Sequence, residues 1–229
     1  MRTRCSHVLL WVKDIHQAVR DFRQLGFTVD YATKKQNAQH AHIWFREGAI
    51  IELLTSPSNA HYFKWLIDIF AGLGAGRRMI RWSQEGEGFC DVALVSEDFD
   101  NDLSTLQQSG IQMGRVVPWR RTKPDGQKTR FRFIYPRSER LPFMVSPYNP
   151  SQHPDETNHE NGATGLHKVH MDVSAQDWQA VRQLTAADPT FNLKHGAITK
   201  VTGVEINGLK EDLDPNLLHS GKVNRANFV

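Results

Sequence analysis

Cysteine is scarce in this sequence of 229 residues. The two cysteines, Cys5 and Cys90, stand far apart and outside any CxxC pattern. Their number and spacing exclude a disulfide framework and a zinc finger built on paired cysteines. Such sparse cysteine is typical of proteins from a reducing compartment, so we expect a cytoplasmic location.

Long hydrophobic runs and a strong net charge are also missing. No run of about 18 apolar residues occurs, and the first residues lack the apolar stretch of a secretory signal, so we expect no membrane partner. The net charge of +3 is too small to indicate nucleic-acid binding. With 39% hydrophobic and 23% charged residues, the composition is that of an ordinary globular protein with one or two domains.

The most informative feature that is present is an internal repeat. Residues 7–54 are predicted as a strand, a helix and three further strands, and residues 89–146 repeat this βαβββ order. Asp14 and Asp98 stand at the same place in the two copies, immediately before the helix, where an aspartate can cap it. The predicted segments of the first copy are a strand at 7–12, a helix at 14–25 and strands at 27–32, 42–45 and 49–54. Those of the second copy are a strand at 89–95, a helix at 98–108 and extended segments at 111–119, 128–135 and 141–146.

The repeat divides the chain into four predicted segments. A first module covers residues 1–57, a helical connector 58–88, and a second module 89–150. Residues 151–229 form a linker and a C-terminal partial module with the order βαββ. The connector contains a helix predicted at 61–71, followed by a glycine run. That run lacks the terminal Lys-Ser/Thr of a phosphate-binding loop and is interpreted as a flexible link.

Two polar residues interrupt the otherwise apolar strands of the first copy. His7 begins one strand, and Glu52 lies in the middle of another. An imidazole and carboxylates on adjoining strands suit Zn, Ni, Mn or Fe(II) and leave coordination positions for a substrate. The alternative interpretation is that His7 and Glu52 are buried polar residues, paired with each other or with arginines.

His42 shares one strand face with His40, since the two are separated by one residue. It is a candidate replacement ligand or general base, so Glu52 and His42 are the predicted catalytic residues. Trp44 and Trp119 are predicted to line a substrate-binding cup rather than to form a stacking platform for nucleic acid.

Basic residues are concentrated on the middle strands of the second copy. In Arg130-Phe-Arg-Phe133 the arginines share one face and the phenylalanines the other. If Arg130 and Arg132 face the cup, they predict an anionic substrate held by bidentate hydrogen bonds. If the phenylalanines face inward, the arginines form a solvated outer surface. The basic residues of this region are Arg115, Arg120, Arg121, Lys123, Lys128, Arg130 and Arg132.

Several motifs resemble the vicinal oxygen chelate superfamily, which includes glyoxalase I, extradiol dioxygenases and bleomycin-resistance proteins. The resemblance implies an α+β fold in which paired βαβββ modules form a cupped, half-open barrel around a divalent metal. The motifs that carry it are His7-Val-Leu-Leu-Trp-Val-Lys-Asp14, Phe22-Arg-Gln-Leu-Gly-Phe27 and Ile51-Glu-Leu-Leu54. Those similar to the glyoxalase-like branch are Leu141-Pro-Phe-Met-Val145, His153-Pro154 and Asn161-Gly162.

The resemblance also implies where metal ligands come from, namely the first and last strands of each module. His7 and Glu52 match these positions in the first module. Asp91 matches the position of His7 in the second, because it precedes Asp98 as His7 precedes Asp14. The fourth position falls near Phe143 or the residue after it, neither of which binds a hard divalent ion. The predicted metal ligands are therefore His7, Glu52 and Asp91.

Three functional hypotheses follow. The first is a metal-dependent lyase, isomerase or dioxygenase that acts on a small oxygenated, anionic metabolite. The second is a metal-free protein that binds a small molecule, as resistance proteins of the superfamily do. The third is a scaffold with a degenerate site. The resemblance implies a homodimer for each of them.

Overall fold

The structure is a computed structural model, and it describes residues 2–56, 64–185 and 188–226. These residues form two β-sheets and five α-helices. The helices are α1 (Ile15–Gln24), α2 (Lys64–Ala71), α3 (Ala75–Gln84), α4 (Phe99–Gln108) and α5 (Trp178–Thr185). The strands of the first module are β1 (Thr3–Trp11), β2 (Asp30–Tyr31), β3 (His40–Ile43) and β4 (Ile50–Leu54), and those of the second are β5 (Gly88–Ser96), β6 (Val117–Thr122), β7 (Lys128–Ile134) and β8 (Phe143–Val145). The C-terminal strands are β9 (Gly165–Val173), β10 (Phe191–His195), β11 (Lys200–Asn207) and β12 (Val223–Arg225).

The larger sheet confirms the predicted fold class. Its eight strands lie in the order β2-β3-β4-β1-β5-β8-β7-β6, and it curls into a half-open barrel. Within each copy the first strand pairs in parallel with the last, β1 with β4 and β5 with β8. The two copies join where β1 and β5 pair antiparallel. The first and last strands of both modules therefore lie side by side at the centre of the sheet.

Helix α1 covers the outer, convex face of the sheet in the first module. The Asp14 side chain accepts hydrogen bonds from the backbone N–H groups of His16 (2.8 Å) and Gln17 (3.1 Å), which begins the helix. Gly26 ends it with a φ of +82°, in the left-handed region that glycine adopts without strain. Its buried face packs on the convex side of the sheet. That face consists of Ile15, Ala18, Val19 and Phe22.

Strand alternation places His7 and Glu52 on the opposite, concave side. In β1, Val8 and Leu10 join the core beneath α1, whereas Leu9 belongs to the apolar cluster of the concave side. His7 has the parity of Leu9 and therefore points into the cup. In β4, Ile51 and Leu53 belong to the core beneath α1. Glu52, which stands between them in the sequence, therefore points to the opposite side, into the cup.

The connector differs from its prediction. The first residues of the helix predicted at 61–71 lie outside the described residues, and the described part is α2. The glycine run after it is predicted as a flexible link, whereas Ala75–Gln84 form a second helix, α3. A β-carbon at Gly72 would lie 2.5 Å from the backbone nitrogen of Arg115, and one at Gly74 would lie 2.5 Å from the carbonyl oxygen of Arg137. These glycines therefore permit close packing of the turn between α2 and α3 on the second module.

The C-terminal residues form a separate four-stranded sheet in the order β10-β9-β11-β12. The predicted order βαββ is observed, and β12 extends it. The pairing differs from that of the two modules, because β9 is parallel to the next strand, β10, rather than to the last strand of its unit. The four-segment division of the chain stays a prediction. Within the described ranges, the helices are all too short or too polar to span a bilayer.

Candidate functional site

The concave side of the large sheet encloses a cavity of about 650 Å³. Polar side chains are gathered at the first-module end, where His7, His40 and Glu52 line it. The remainder of the wall is largely aromatic and aliphatic. Helix α2 contributes Leu66, Ile67 and Phe70 to the wall. The aromatic residues from α3 and the second module are Trp82, Trp119, Phe131, Phe133, Tyr135, Phe143 and Tyr148.

Glu52 is the centre of the polar end, and it is buried. Its Oε2 lies 3.1 Å from His7 Nε2, and its Oε1 lies 2.8 Å from His40 Nδ1. His42 Nε2 is 3.4 Å from the same Oε1. The fourth neighbour is Arg121 of β6, whose Nη2 donates to Oε1 at 3.4 Å. Three histidines and one arginine therefore converge on a single carboxylate.

The buried groups of this cluster have a defined charge. Burial lowers the pKa of His7 from 6.5 to about 4, and burial also lowers the pKa of His42, so both imidazoles are neutral near pH 7. Burial would raise the pKa of Glu52, but the neighbouring His7, His40 and His42 outweigh that effect and hold it well below its usual range. Glu52 is therefore a carboxylate, and its charge is balanced by Arg121.

Two contacts assign the tautomers of His42 and His7. Arg121 Nη1 donates to His42 Nε2 at 3.0 Å, so this nitrogen is an acceptor. The Ser6 hydroxyl lies 3.0 Å from His7 Nδ1 and can donate to it, which leaves the proton of His7 on Nε2, facing Glu52. A metal ion would need the lone pair of that nitrogen instead.

Asp91, the predicted third ligand, belongs to a different network. Arg78 of α3 donates to its Oδ2 at 2.5 Å, and Trp82 Nε1 donates to the same oxygen at 3.0 Å. The other oxygen, Oδ1, accepts from the backbone N–H of Val92 at 2.9 Å. Arg78 is fully buried, and its Nη2 also donates to two backbone carbonyls. Asp91 is thus the partner of a buried arginine, which removes it from the ligand set that the resemblance implies.

Apart from Arg121, the second-module residues next to His7 are apolar. Ala93 of β5 pairs with His7 across the junction of the modules, and Phe143 of β8 pairs with Ala93. The Phe143 ring meets the His7 ring edge-on, at 5.9 Å between centroids. Among residues 2–56, 64–185 and 188–226, no three His, Cys, Asp or Glu side chains are arranged to hold a metal ion. The donor set of this site therefore does not fit the divalent metal that the resemblance implies.

The four predicted substrate-binding residues are placed differently. Trp119 lines the cavity and is 48% exposed. Trp44 lies behind His42, with its ring 5.1 Å from the His42 ring. Arg132 forms a bidentate ion pair with Asp100 at 2.9 and 3.0 Å.

The Arg130-Phe-Arg-Phe133 segment therefore has its phenylalanines in the cavity wall and its arginines outside. Arg130 is exposed on the same outer side of β7 as Arg132. This corrects the expectation that these two arginines bind an anionic substrate in the cup. The physical reason is the alternation of β7, which buries the residues that carry aromatic surface.

Sequence reasoning missed Arg121, Tyr135 and Tyr148 as residues of the site. Arg121 stood within the basic region without a role of its own. A usable signal was its position two residues after Trp119, because a strand places such a pair on one face. His7 and Glu52 lie in contact in the cup. Arg121 also contacts Glu52, so the arrangement resembles the alternative interpretation, in which the two residues are buried polar groups paired with each other or with arginines.

Comparisons with known proteins agree with this fold. Residues 5–187 match the model of a family described as a glyoxalase-like domain. A hypothetical protein from Staphylococcus aureus has a similar structure, with a TM-score of 0.70 at 13% identity, covering 92% of this chain and 93% of that one. This likeness shows a shared fold. No curated protein sequence matches the chain.

Two weaker likenesses are to enzymes. A Streptomyces coelicolor methylmalonyl-CoA epimerase variant in complex with 2-nitronate-propionyl-CoA has a TM-score of 0.41 at 19% identity, covering 64% of this chain and 96% of that one. An extradiol ring-cleaving dioxygenase from B. fuscum has a TM-score of 0.46 at 12% identity, covering 90% of this chain and 57% of that one.

The chain belongs to the glyoxalase-like domain family. The predicted resemblance to a glyoxalase-like domain is thereby confirmed.

Proposed function

We propose that this protein binds a small, largely aromatic molecule in the cup and holds it without a metal ion. The observation that carries the proposal is the position of Arg121, whose guanidinium lies 3.4 Å from Glu52 Oε1 and 3.0 Å from His42 Nε2. A permanent cation thus occupies the place beside Glu52 where the resemblance implies a metal.

Electrostatics supports this assignment. A divalent ion at Glu52 would lie close to the Arg121 guanidinium, and like charges repel strongly where water is excluded. It would also have to displace the proton on His7 Nε2 and would meet Ala93 and Phe143 on its other side. Both the donors and the charge of the site therefore favour a metal-free cup.

The shape and lining of the cavity support a small-molecule ligand. Its volume of about 650 Å³ lies within the range of about 300–1,000 Å³ typical of pockets for drug-sized molecules. Phe131, Phe133 and Phe143 offer ring faces and edges to a flat ligand. The polar groups lie at one end, an arrangement that would orient such a ligand.

A thermal-shift experiment with 2-acetylnaphthalene tests the proposal. We expect this flat probe to raise the melting temperature of the purified chain equally with and without EDTA. Added Zn²⁺, Ni²⁺, Mn²⁺ or Fe²⁺ should not increase the shift, and elemental analysis should find less than stoichiometric metal. Trp65→Ala is the matched control for mutations of the lining, because Trp65 is 61% exposed on α2 and outside the cavity wall.

The competing candidate is the metal-dependent enzyme, which the contact between His7 and Glu52 favours. Stoichiometric metal that is lost in His7→Gln, together with probe binding abolished by EDTA, would replace our proposal with that candidate. Absence of any response to the probe would instead favour the degenerate scaffold. The homodimer and the cytoplasmic location stay predictions.

A further inference from the structure

We propose that the cup selects uncharged ligands that carry an acceptor oxygen, and that Arg121 is the residue that binds this oxygen. This inference rests on the metal-free binding function proposed above. It replaces the anionic metabolite expected from the basic region with a neutral aromatic carbonyl or phenol compound.

The charge of the cavity wall is the first step of the argument. Glu52 carries one negative charge and Arg121 one positive charge, and they are in contact at 3.4 Å. His7 is buried and directs Nε2 at the Glu52 carboxylate, 3.1 Å away, so it does not stand free in the wall. The buried charges behind the wall are paired as well, because Arg78 contacts Asp91 at 2.5 Å and Arg81 contacts Glu85 at 2.9 Å.

The two tyrosines of the wall do not alter this balance. Burial raises the pKa of the Tyr135 and Tyr148 hydroxyls, so both stay protonated. His40 lies at the rim, with 38% of its side chain exposed to solvent. A ligand carboxylate would therefore add an uncompensated charge to a largely apolar cavity, which is unfavourable. An uncharged oxygen carries no such penalty.

The free hydrogen-bond donors are the second step. A guanidinium has five N–H groups, and Arg121 directs one to His42 and one to Glu52, which leaves three for a ligand. Tyr135 and Tyr148 line the same cavity, and neither hydroxyl has a hydrogen-bond partner among the described residues. The cavity thus offers unused donors, while the oxygens of Glu52 are already occupied. A ligand oxygen that accepts hydrogen bonds fits this set.

The rigidity of Arg121 is the third step. Its guanidinium is held by Glu52 and His42 and lies 5.8 Å from the centre of the Phe131 ring. Its side chain is only 12% exposed. Because the donor is fixed before the ligand arrives, little conformational entropy is lost on binding. Arg120, the preceding residue, points to the outer side of β6 and is exposed, so it provides a matched control.

The test compares two probes of equal shape, 2-acetylnaphthalene and 2-naphthoate, by calorimetric titration at pH 7.5. We expect the wild-type chain to bind the neutral ketone at least about tenfold more tightly than the carboxylate. Arg121→Gln should weaken ketone binding by about tenfold, because the charged donor is lost. Arg120→Gln should leave both affinities unchanged.

The variant Glu52→Gln tests the charge argument most directly, because it leaves the positive charge of Arg121 without its negative partner. In this variant we expect the preference to reverse towards 2-naphthoate. Equal or tighter binding of 2-naphthoate by the wild-type chain would overturn the inference and leave the proposed binding function intact. Failure of both probes to bind, or binding only with added metal, would overturn both. If a variant does not fold, the comparison of the two probes on the wild-type chain still decides.

Discussion

The two halves of the cup share an order of strands and helix but carry opposite chemistry on their concave faces. In the first module, His7, His40 and Glu52 face the cavity, and both histidines contact the Glu52 carboxylate. In the second module, apolar side chains such as Phe143 and Val145 face the same cavity. The shared topology fixes which positions face the cup, and it leaves the chemistry at those positions to the individual side chains.

The two halves also differ in the residues that surround their buried carboxylates, Glu52 and Asp91. Glu52 is surrounded by three imidazoles and one guanidinium that reaches across from β6. Asp91 is paired with Arg78 from α3, the second helix of the connector. The first arrangement leaves donors open towards the cavity, whereas the second is closed by protein contacts. The polar groups of the cavity therefore lie where the first half meets Arg121 of β6, and the remainder of the second half provides the largely apolar wall.

The largest expected effect concerns the closed pair. Replacing Arg78 by Met leaves the buried carboxylate of Asp91 without its main partner, which we expect to lower the free energy of unfolding by about 3–5 kcal/mol. Urea unfolding followed by circular dichroism measures the change. The double variant Arg78→Met with Asp91→Leu should recover much of the loss, because no buried charge is then left unpaired.

The matched control for this pair lies on the outer face of the same module. Asp100→Asn weakens the exposed ion pair with Arg132 and should leave the free energy of unfolding unchanged within error. If Arg78→Met were as mild as Asp100→Asn, the closed pair would contribute little to stability, and the proposed contrast between the halves would fail.

The second prediction concerns the pH dependence of the first half. The pKa of His7 is 6.5 in the unfolded chain and about 4 in the folded one, so the unfolded chain binds more protons between these values. Stability is therefore fully present above pH 6.5 and falls as the pH decreases towards 4, by an amount on the order of 3 kcal/mol from His7. Glu52, whose folded pKa is lowered, adds a loss of the same sign below its unfolded pKa of 4.5.

His7→Gln tests this assignment, because glutamine keeps a donor for Glu52 but does not titrate. We expect a plot of unfolding free energy against pH to be clearly flatter between pH 4 and 6.5 in the variant than in the wild type. His42 retains part of the slope, since burial lowers its pKa as well. An identical slope in the two proteins would show that His7 is not the buried neutral group that the structure places beside Glu52.

The sequence predicted the repeat well because strand periodicity and the two helix-preceding aspartates depend on local pattern. The placement of His7 and Glu52 in the cup followed from the same alternation. Helix α3 was missed because the face it buries carries Arg78, Arg81 and Trp82 instead of aliphatic residues. The burial of an arginine can be predicted only when its ion-pair partner is known, and the partner of Arg78 is Asp91 on β5.

Arg121 illustrates the same difficulty at the site itself. The preceding residue, Arg120, is exposed, and Lys123 and Lys128 follow nearby, so composition favours a solvated surface for the whole region. The contact with Glu52 joins strands at distant positions in the sheet, and it depends on the curl that brings β6 over β4. Local periodicity gives the face of a side chain, but which side chains meet across the cup depends on the curvature of the sheet.

The third prediction concerns the apolar wall. Trp119→Ala removes an aromatic ring at the cavity mouth that lies 6.3 Å from Phe133, and we expect about fivefold weaker binding of 2-acetylnaphthalene. Stability should change little, because the side chain is partly exposed. Trp65→Ala on α2 should leave the affinity unchanged. Equal losses in the two variants would mean that the probe binds on the outer surface of α2 instead of in the cup.

The smallest expected effect compares the two helix starts that revealed the repeat. Asp14 accepts hydrogen bonds from two backbone N–H groups of α1, which also lower its pKa. Asp98 occupies the equivalent place before α4, but its side chain accepts no capping hydrogen bond within the described part of the chain. Asp14→Ala should therefore cost about 1 kcal/mol of unfolding free energy, and Asp98→Ala clearly less.

Urea unfolding of the two variants side by side measures this difference, with the wild type as reference. Equal losses would mean that Asp98 caps α4 in solution as Asp14 caps α1, and the two modules would then be more alike than their structures indicate. A loss confined to Asp14→Ala would show that the second module keeps the aspartate of the repeat but not its contact. The same relation holds at the cup, where Asp91 keeps the position of His7 while its carboxylate is bound by Arg78.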